Sequence, residues 1–340
     1  MLMNPQSLDT GYGSNGMVAM LYFSEDGRSI QVRYYSTIRE KYFKTVNQFA
    51  IQLPDIIPDK MGEVEQLQIT LQDDINVRLY TVLTDTYLQS TENYARITVA
   101  GEERVIPISE AEVKTVGEKT YYIFTAEVAA AQMTETISLQ FFNSVGESSD
   151  VYRCTVQKYA QDLLASDEYE DCHNLVKQLL NYGAKAQLYF GVNTENLANA
   201  GNEIENLREV PEQTEPMRVE GKVNGIGFYG ATLLFRNKIA VRYYFTAPDG
   251  AEYISFTVNG EKCTAEQKNG MYYVECSDIN PQQYSEMITV TASDGNETLY
   301  VSYCPMNYIV RMNNGSASHD LQTLLEALYN YHLEAMAYLN

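Results

Sequence analysis

Imidazole and thiol chemistry are thinly supplied in this chain: three histidines and five cysteines in 340 residues. Cys172 and His173 are neighbours at a helix start, where consecutive side chains diverge, so they are poorly set as nucleophile and base. Ser318, His319 and Asp320 open the last helix, and Ser318 reads as its N-cap rather than as part of a hydrolase triad. His332 lies within that helix and reads as a packing or surface residue. No CxxC, GxSxG, HExxH or EF-hand loop occurs, so no catalytic set, no cofactor and no His/Cys metal site are expected. Gly11, Gly13 and Gly16 spell GxGxxG, but a polar tail precedes them and a strand-like run follows, the reverse of the context a dinucleotide requires. Carboxylates are plentiful, which weakens any one pairing; a glycosidase needs two at a fixed separation across a cleft.

Two constellations remain. Around the Asn269-Gly270 turn, Lys268 pairs with Met271, and counting outward sets Cys263 opposite Cys276. That is a non-hydrogen-bonded site close enough for a disulfide, with two reduced structural cysteines as the alternative. In INVRLY and IAVRYY, Arg78 with Tyr80 and Arg242 with Tyr244 share the outward face of a strand. Guanidinium and ring can stack there and hold a sugar, or they can cover the sheet. The absence of Trp weighs against the sugar.

The elements that carry these residues are duplicated. INVRLY (75–80) recurs as IAVRYY (239–244), ITVAGE (97–102) as FTVNGE (256–261), and YYIFTAEV (121–128) as YYVECSDI (272–279). TISL (136–139) then recurs as MITV (287–290), and LVKQLLNYGAKAQLYF (175–190) as LLEALYNYHLEAMAYL (324–339). Blocks repeated in one order mean two copies of one module, 64–192 and 225–340, joined by a polar Asn- and Glu-rich linker, 193–224. Each copy opens with short segments of period two, bounded by turns such as Asn259-Gly260 and Asp294-Gly295, which suggests an immunoglobulin-like sandwich. Each ends in a helical period: Leu175, Leu179, Tyr182, Ala186 and Tyr189 in one, Leu324, Leu328, Tyr331, Ala335 and Tyr338 in the other. A shorter helix (156–164, and its counterpart from 306) precedes each, giving a helical hairpin whose apolar stripe buries most simply against its own sandwich. Residues 1–63 repeat the IxVRxY pattern at Ile30, Val32 and Arg33 and read as a partial or divergent β module, or as a pairing element for the first sandwich. The fold class expected is mainly β with appended α.

Lys and Arg number 24 against 45 Asp and Glu, a net charge of −21, which argues against nucleic acid. The longest nearly apolar run, 226–235, is far below the ~20 residues a membrane span needs, so no membrane insertion is expected. The opening residues have neither the charged nor the apolar region of a secretory leader, so the chain is read as cytosolic or as a piece of a longer one.

The IxVRxY strand, the Tyr159-Ala160 dipeptide opening the first helix and the run LVKQLLNYGAKAQLYF resemble tandem modules of large secreted or wall-associated proteins of gut anaerobic Gram-positive bacteria. The similarity covers about two thirds of the chain, and its motifs are structural. The second copy departs where Gly183 becomes His332 and Ala160 becomes Ile309. The resemblance implies a non-enzymatic protein outside the cell or in its wall, an adhesion, spacer or scaffold unit with a protein or glycan partner. The alternative is a carbohydrate-binding module set of a polysaccharide-degrading system, and after it a hydrolase whose site the sequence does not reveal.

Overall fold

The computed structural model describes residues 17–24, 29–37, 40–42, 49–52, 61–70, 75–205, 207–235, 239–247, 253–277 and 279–339. The glycines of the GxGxxG run lie outside them. Strands take 43% of the chain and helices 27%, so the fold is mainly β. Two compact units divide it, Met1–Lys60 and Met61–Asn340.

The first unit is one antiparallel sheet of β1 (Met17–Phe23), β2 (Ser29–Ser36), β3 (Lys41–Tyr42) and β4 (Phe49–Gln52), in which β2 pairs with all three others. Leu21, Val32 and Phe49 stand opposite one another across it, as do Phe23, Ile30 and Ile51, so alternation puts these six on one face.

In the second unit, copy 1 contains β5 (Gly62–Thr70), β6 (Asn76–Leu83), β7 (Tyr94–Val99), β8 (Glu102–Pro107), β9 (Glu112–Val116), β10 (Lys119–Glu127), β11 (Ile137–Phe142) and β12 (Tyr152–Cys154). They form two antiparallel sheets, β5-β6-β10-β9 and β12-β11-β7-β8. Copy 2 contains β13 (Arg218–Gly221), β14 (Gly227–Phe235), β15 (Ile239–Thr246), β16 (Ser255–Val258), β17 (Glu261–Cys263), β18 (Glu266–Lys268), β19 (Met271–Cys276), β20 (Ile288–Ser293) and β21 (Thr298–Tyr303). Its sheets run β14-β15-β19-β18 and β13-β21-β20-β16-β17. The inner faces of each pair meet through aromatic edges, Phe124 on Phe141 at 5.5 Å and Phe245 on Phe256 at 5.3 Å. Even the irregularities repeat: β5 and β14 both bulge one residue before the partner of the IxVRxY tyrosine.

One sequence match is a residue out. Tyr80 pairs with Ile123, whereas Tyr244 pairs with Tyr273, so Tyr272 occupies the place of Tyr122, not of Tyr121. Tyr272 and Val274 join the core as Tyr122 and Phe124 do. Letter identity had matched side chains on opposite faces, which a period of two forbids.

Helices follow the strands: α1 (Asp85–Leu88) inside copy 1, then α2 (Val156–Leu164) and α3 (His173–Phe190) at its end, and α4 (Pro305–Asn313) and α5 (His319–Leu339) at the end of copy 2. Thr155 Oγ1 caps α2 by accepting from Lys158 N at 2.9 Å, and Ser318 Oγ caps α5 by accepting from Leu321 N at 3.3 Å. Gly191, at φ 67°, ends α3 in the left-handed conformation its missing Cβ permits.

The apolar stripes do not stop at their own sheets. α3 and α5 pack on each other, and Tyr182 stacks on Tyr331 with ring centres 5.9 Å apart and planes 7° apart. These two tyrosines hold equivalent positions in the repeated helix, so the helices meet through matching places. Two matching apolar stripes cover one another more fully than either sheet could cover both. The connector, read as a linker, is a strap. Gln187 accepts from Ala198 N at 2.7 Å and Gln157 donates to Leu197 O at 2.9 Å, holding its first half on copy 1. Asn330 bonds both backbone polar groups of Arg208, and Asn314 donates to Pro211 O at 2.8 Å, holding its second half on copy 2. Its last residues enter the sheet as β13.

Candidate functional site

β6 and β15 are central strands, and their alternation turns Val77 and Leu79, or Val241 and Tyr243, into the core. Arg78 and Tyr80, or Arg242 and Tyr244, are thereby turned outward as the sequence indicates. In copy 2 the outward group is closed upon itself. Arg242 is 7% exposed and donates from Nε to Glu275 Oε1 at 2.7 Å, with a second bond from Nη2 to the same oxygen. Its guanidinium lies 4.1 Å from the centre of the Tyr273 ring and 5.9 Å from that of Tyr244. Burial works against its charge, but bonds to Tyr244 and Glu275 prevail and hold the guanidinium above its usual pKa. Tyr273 donates to Glu266, and that bond raises its phenol pKa.

Copy 1 builds the same group more openly. Arg78 pairs with Glu112, and Arg78 and Lys114 each lie 5.9 Å from the centre of the Tyr80 ring. Tyr121 meets that ring edge-on at 5.8 Å, and Tyr80 donates to Gln68 at 2.8 Å, leaving the ring 4% exposed. Nearby, Lys119 donates to Glu65 at 2.8 Å and holds that carboxyl below its usual pKa. In both clusters a glutamate holds the arginine, and in both cations lie over the tyrosine rings. The chemistry this supports is cohesion of the sheet, with Tyr121 and Tyr244 as the more open rings.

The other candidates are also spoken for. His173 Nε2 lies 3.1 Å from the carbonyls of Leu163 and Ser166, closing the end of α2. His332 Nδ1 lies 2.5 Å from Pro281 O and Nε2 3.3 Å from Ser285 Oγ, with the ring stacked on Tyr284. Burial pushes the thiols of Cys154, Cys172, Cys263 and Cys304 up, Cys154 to about 11, away from nucleophilic use at neutral pH. Among the described residues no group of three His, Cys, Asp or Glu is placed to hold a metal ion. None of the described helices is long and apolar enough to cross a membrane.

The cross-strand geometry expected for Cys263 and Cys276 is not formed. The hairpin holds its register from Lys268↔Met271 to Glu266↔Tyr273, and the chain then crosses to the other sheet. Cys263 consequently pairs with Phe256 on β16, Cys276 with Val241 on β15, and no bond joins them. Sequence reasoning also missed an aromatic group on copy 1: Tyr94 stacks on Phe142 at 5.0 Å, and Arg96 lies 4.5 Å from the centre of the Phe142 ring. Only knowledge that β7 pairs with β11 brings those residues together.

No protein-family model matches the chain, and no curated protein does. Among solved structures, a polysaccharide lyase aligns over 86% of this chain and 47% of its own length, at 8% identity and a TM-score of 0.17. The chain thus spans about half of that structure, and so low a score carries no argument about fold or activity.

Proposed function

We propose that the chain is a non-enzymatic extracellular or wall-associated protein, an adhesion, spacer or scaffold unit. Its modules are read as immunoglobulin-like sandwiches, each followed by a helical hairpin, of the kind the sequence resembles in large surface proteins of gut anaerobic Gram-positive bacteria. The observation that carries the reading is the junction. Two copies are joined through equivalent helices and a strap bonded to both, a construction that transmits position and load between modules.

The test is contact without turnover. The full chain is incubated with isolated bacterial wall fragments, mucin and plant polysaccharides, and both retention and released reducing ends are followed. Retention on one of these materials with no reducing ends is expected. Reducing ends that rise in proportion to protein would refute the non-enzymatic reading, and retention on none of the materials would refute adhesion. The second reading, carbohydrate binding, is favoured by one surface of copy 2.

A further inference from the structure

On the three central strands of the β13-β21-β20-β16-β17 sheet, every outward position carries a hydroxyl. Ser255 and Thr257 stand on β16, and Thr289, Thr291 and Ser293 on β20. Thr298, Tyr300 and Ser302 complete it on β21. Register aligns them in rows: Thr257, Thr291 and Tyr300 in one, Ser255, Ser293 and Thr298 in the next, Thr289 and Ser302 in the third. Neighbours already orient each other, Thr257 with Thr291 at 2.7 Å, Thr289 with Ser302 at 3.2 Å, and Thr298 donating to Ser293 at 3.0 Å. Ser293 Oγ is already saturated, accepting from Gly295 N and Thr298 Oγ1 and donating to Glu297 O, while the other hydroxyls keep lone-pair capacity for a group arriving from outside. Tyr300, 47% exposed, offers an open ring in the middle row.

Strand propensity explains threonine on a sheet but not the missing charge. The chain is 20% charged with a net charge of −21, yet none of these outward positions on the three strands carries a charge. Charges stand on the two edge strands, Arg218 opposite Ser302 and Glu220 opposite Tyr300 on β13, and Lys262 opposite Thr257 on β17. The matching sheet of copy 1 shows the ordinary solution, with Arg96 and Glu103 paired at 3.6 Å and Arg153 opposite Ser138.

We propose that this face binds an extended, uncharged polysaccharide. The uncharged centre of the face suits a neutral glycan, oriented hydroxyls exchange hydrogen bonds with sugar hydroxyls, and the Tyr300 ring takes the apolar side of one pyranose. The proposal deepens the carbohydrate-binding reading and rests on it.

The full chain is run through non-denaturing gels containing mixed-linkage β-glucan, xyloglucan, galactomannan or arabinoxylan, and through gels containing polygalacturonate or chondroitin sulfate, beside an inert protein. Retardation by a neutral polysaccharide is expected, with Tyr300→Ala and Thr291→Glu weakening it about tenfold or more at unchanged melting temperature. Tyr229→Ala, at a still more open tyrosine on β14, leaves it unchanged. No retardation by any neutral polymer, retardation by the anionic ones alone, or equal retardation of Tyr300→Ala overturns the proposal. So does self-association that Tyr300→Ala abolishes, which makes the face an interface between copies of this chain. Reducing ends released in the same gels refute the non-enzymatic reading alone, since the Tyr300→Ala comparison still decides the face.

Discussion

Where α3 and α5 pass the 3-10 turns Ala130–Gln132 and Pro281–Gln283, the two copies solve one packing problem in two ways. In copy 1 Gly183 lies under Met133; a Cβ there would collide with Met133 Sδ and come within 3.2 Å of Ala130 O. In copy 2 the equivalent His332 lies under Tyr284 and bonds Pro281 O, the counterpart of the Ala130 carbonyl. Residue and roof have changed together: a small residue leaves room for a flexible thioether, and an imidazole supports a flat ring with a polar handle. The repeat thus conserves the space between helix and turn rather than the residues that fill it.

Breaking the junction itself has the largest expected effect. Tyr331→Ala removes a fully packed ring from the stack with Tyr182 and costs about 3–5 kcal/mol. Calorimetry should show the single transition of the second unit splitting into separate steps for the two copies; an unsplit transition at the wild-type temperature would show that the stack does not couple them. Next comes Gly183→His, which imports the copy 2 residue beneath the copy 1 roof and costs about 1–3 kcal/mol by overpacking. Adding Met133→Tyr should restore part of that loss in urea unfolding, and purely additive losses would end the claim that the pair is exchanged as a unit.

The arginine clusters sharpen the same contrast. Arg242→Ala leaves Glu275 beside a buried surface and costs about 1–3 kcal/mol, while Arg78→Ala, whose partner Glu112 is 56% exposed, costs about 0–1 kcal/mol. Equal midpoint shifts for the two would contradict the difference in burial. A pH effect follows from His332, whose pKa burial lowers below its ordinary value near 6.5. The unfolded chain binds the proton more readily, so the contribution of the neutral ring is complete above about pH 6.5 and is lost as pH falls through the depressed folded value. Thermal midpoints measured from pH 7 to 5 should fall more steeply for the wild type than for His332→Gln. The smallest effect is at the β7–β8 turn, where Ala100 takes φ 50° and copy 2 has Asn259 at φ 49°. Ala100→Asn should stabilise copy 1 by about 0.5–1 kcal/mol, read as a raised midpoint, because Asn tolerates the left-handed region that Ala resists.

Much of this architecture was legible in the sequence, and what was legible was local. The Asn269-Gly270 turn set the register of Lys268 with Met271, the Ser318 cap started α5, and a helix was expected around Val156–Leu164, because dihedral preference and short-range hydrogen bonds decide such features. The outward pairing of Arg78 with Tyr80 and of Arg242 with Tyr244 followed from a period of two. That their polar atoms are spent on Glu112, Gln68 and Glu275 did not, since those partners arrive from other strands.

The sequence by itself determined that five blocks recur in one order, and which side chains each strand or helix turns the same way, because periodicity is a property of the backbone. Only the tertiary structure decided that α3 covers α5, that the connector is bonded down, that Cys263 and Cys276 part to different sheets, and that eight uncharged outward positions converge on one face. Those outcomes depend on which surfaces meet, and a surface is chosen by the burial and polar satisfaction it gains against distant parts of the chain.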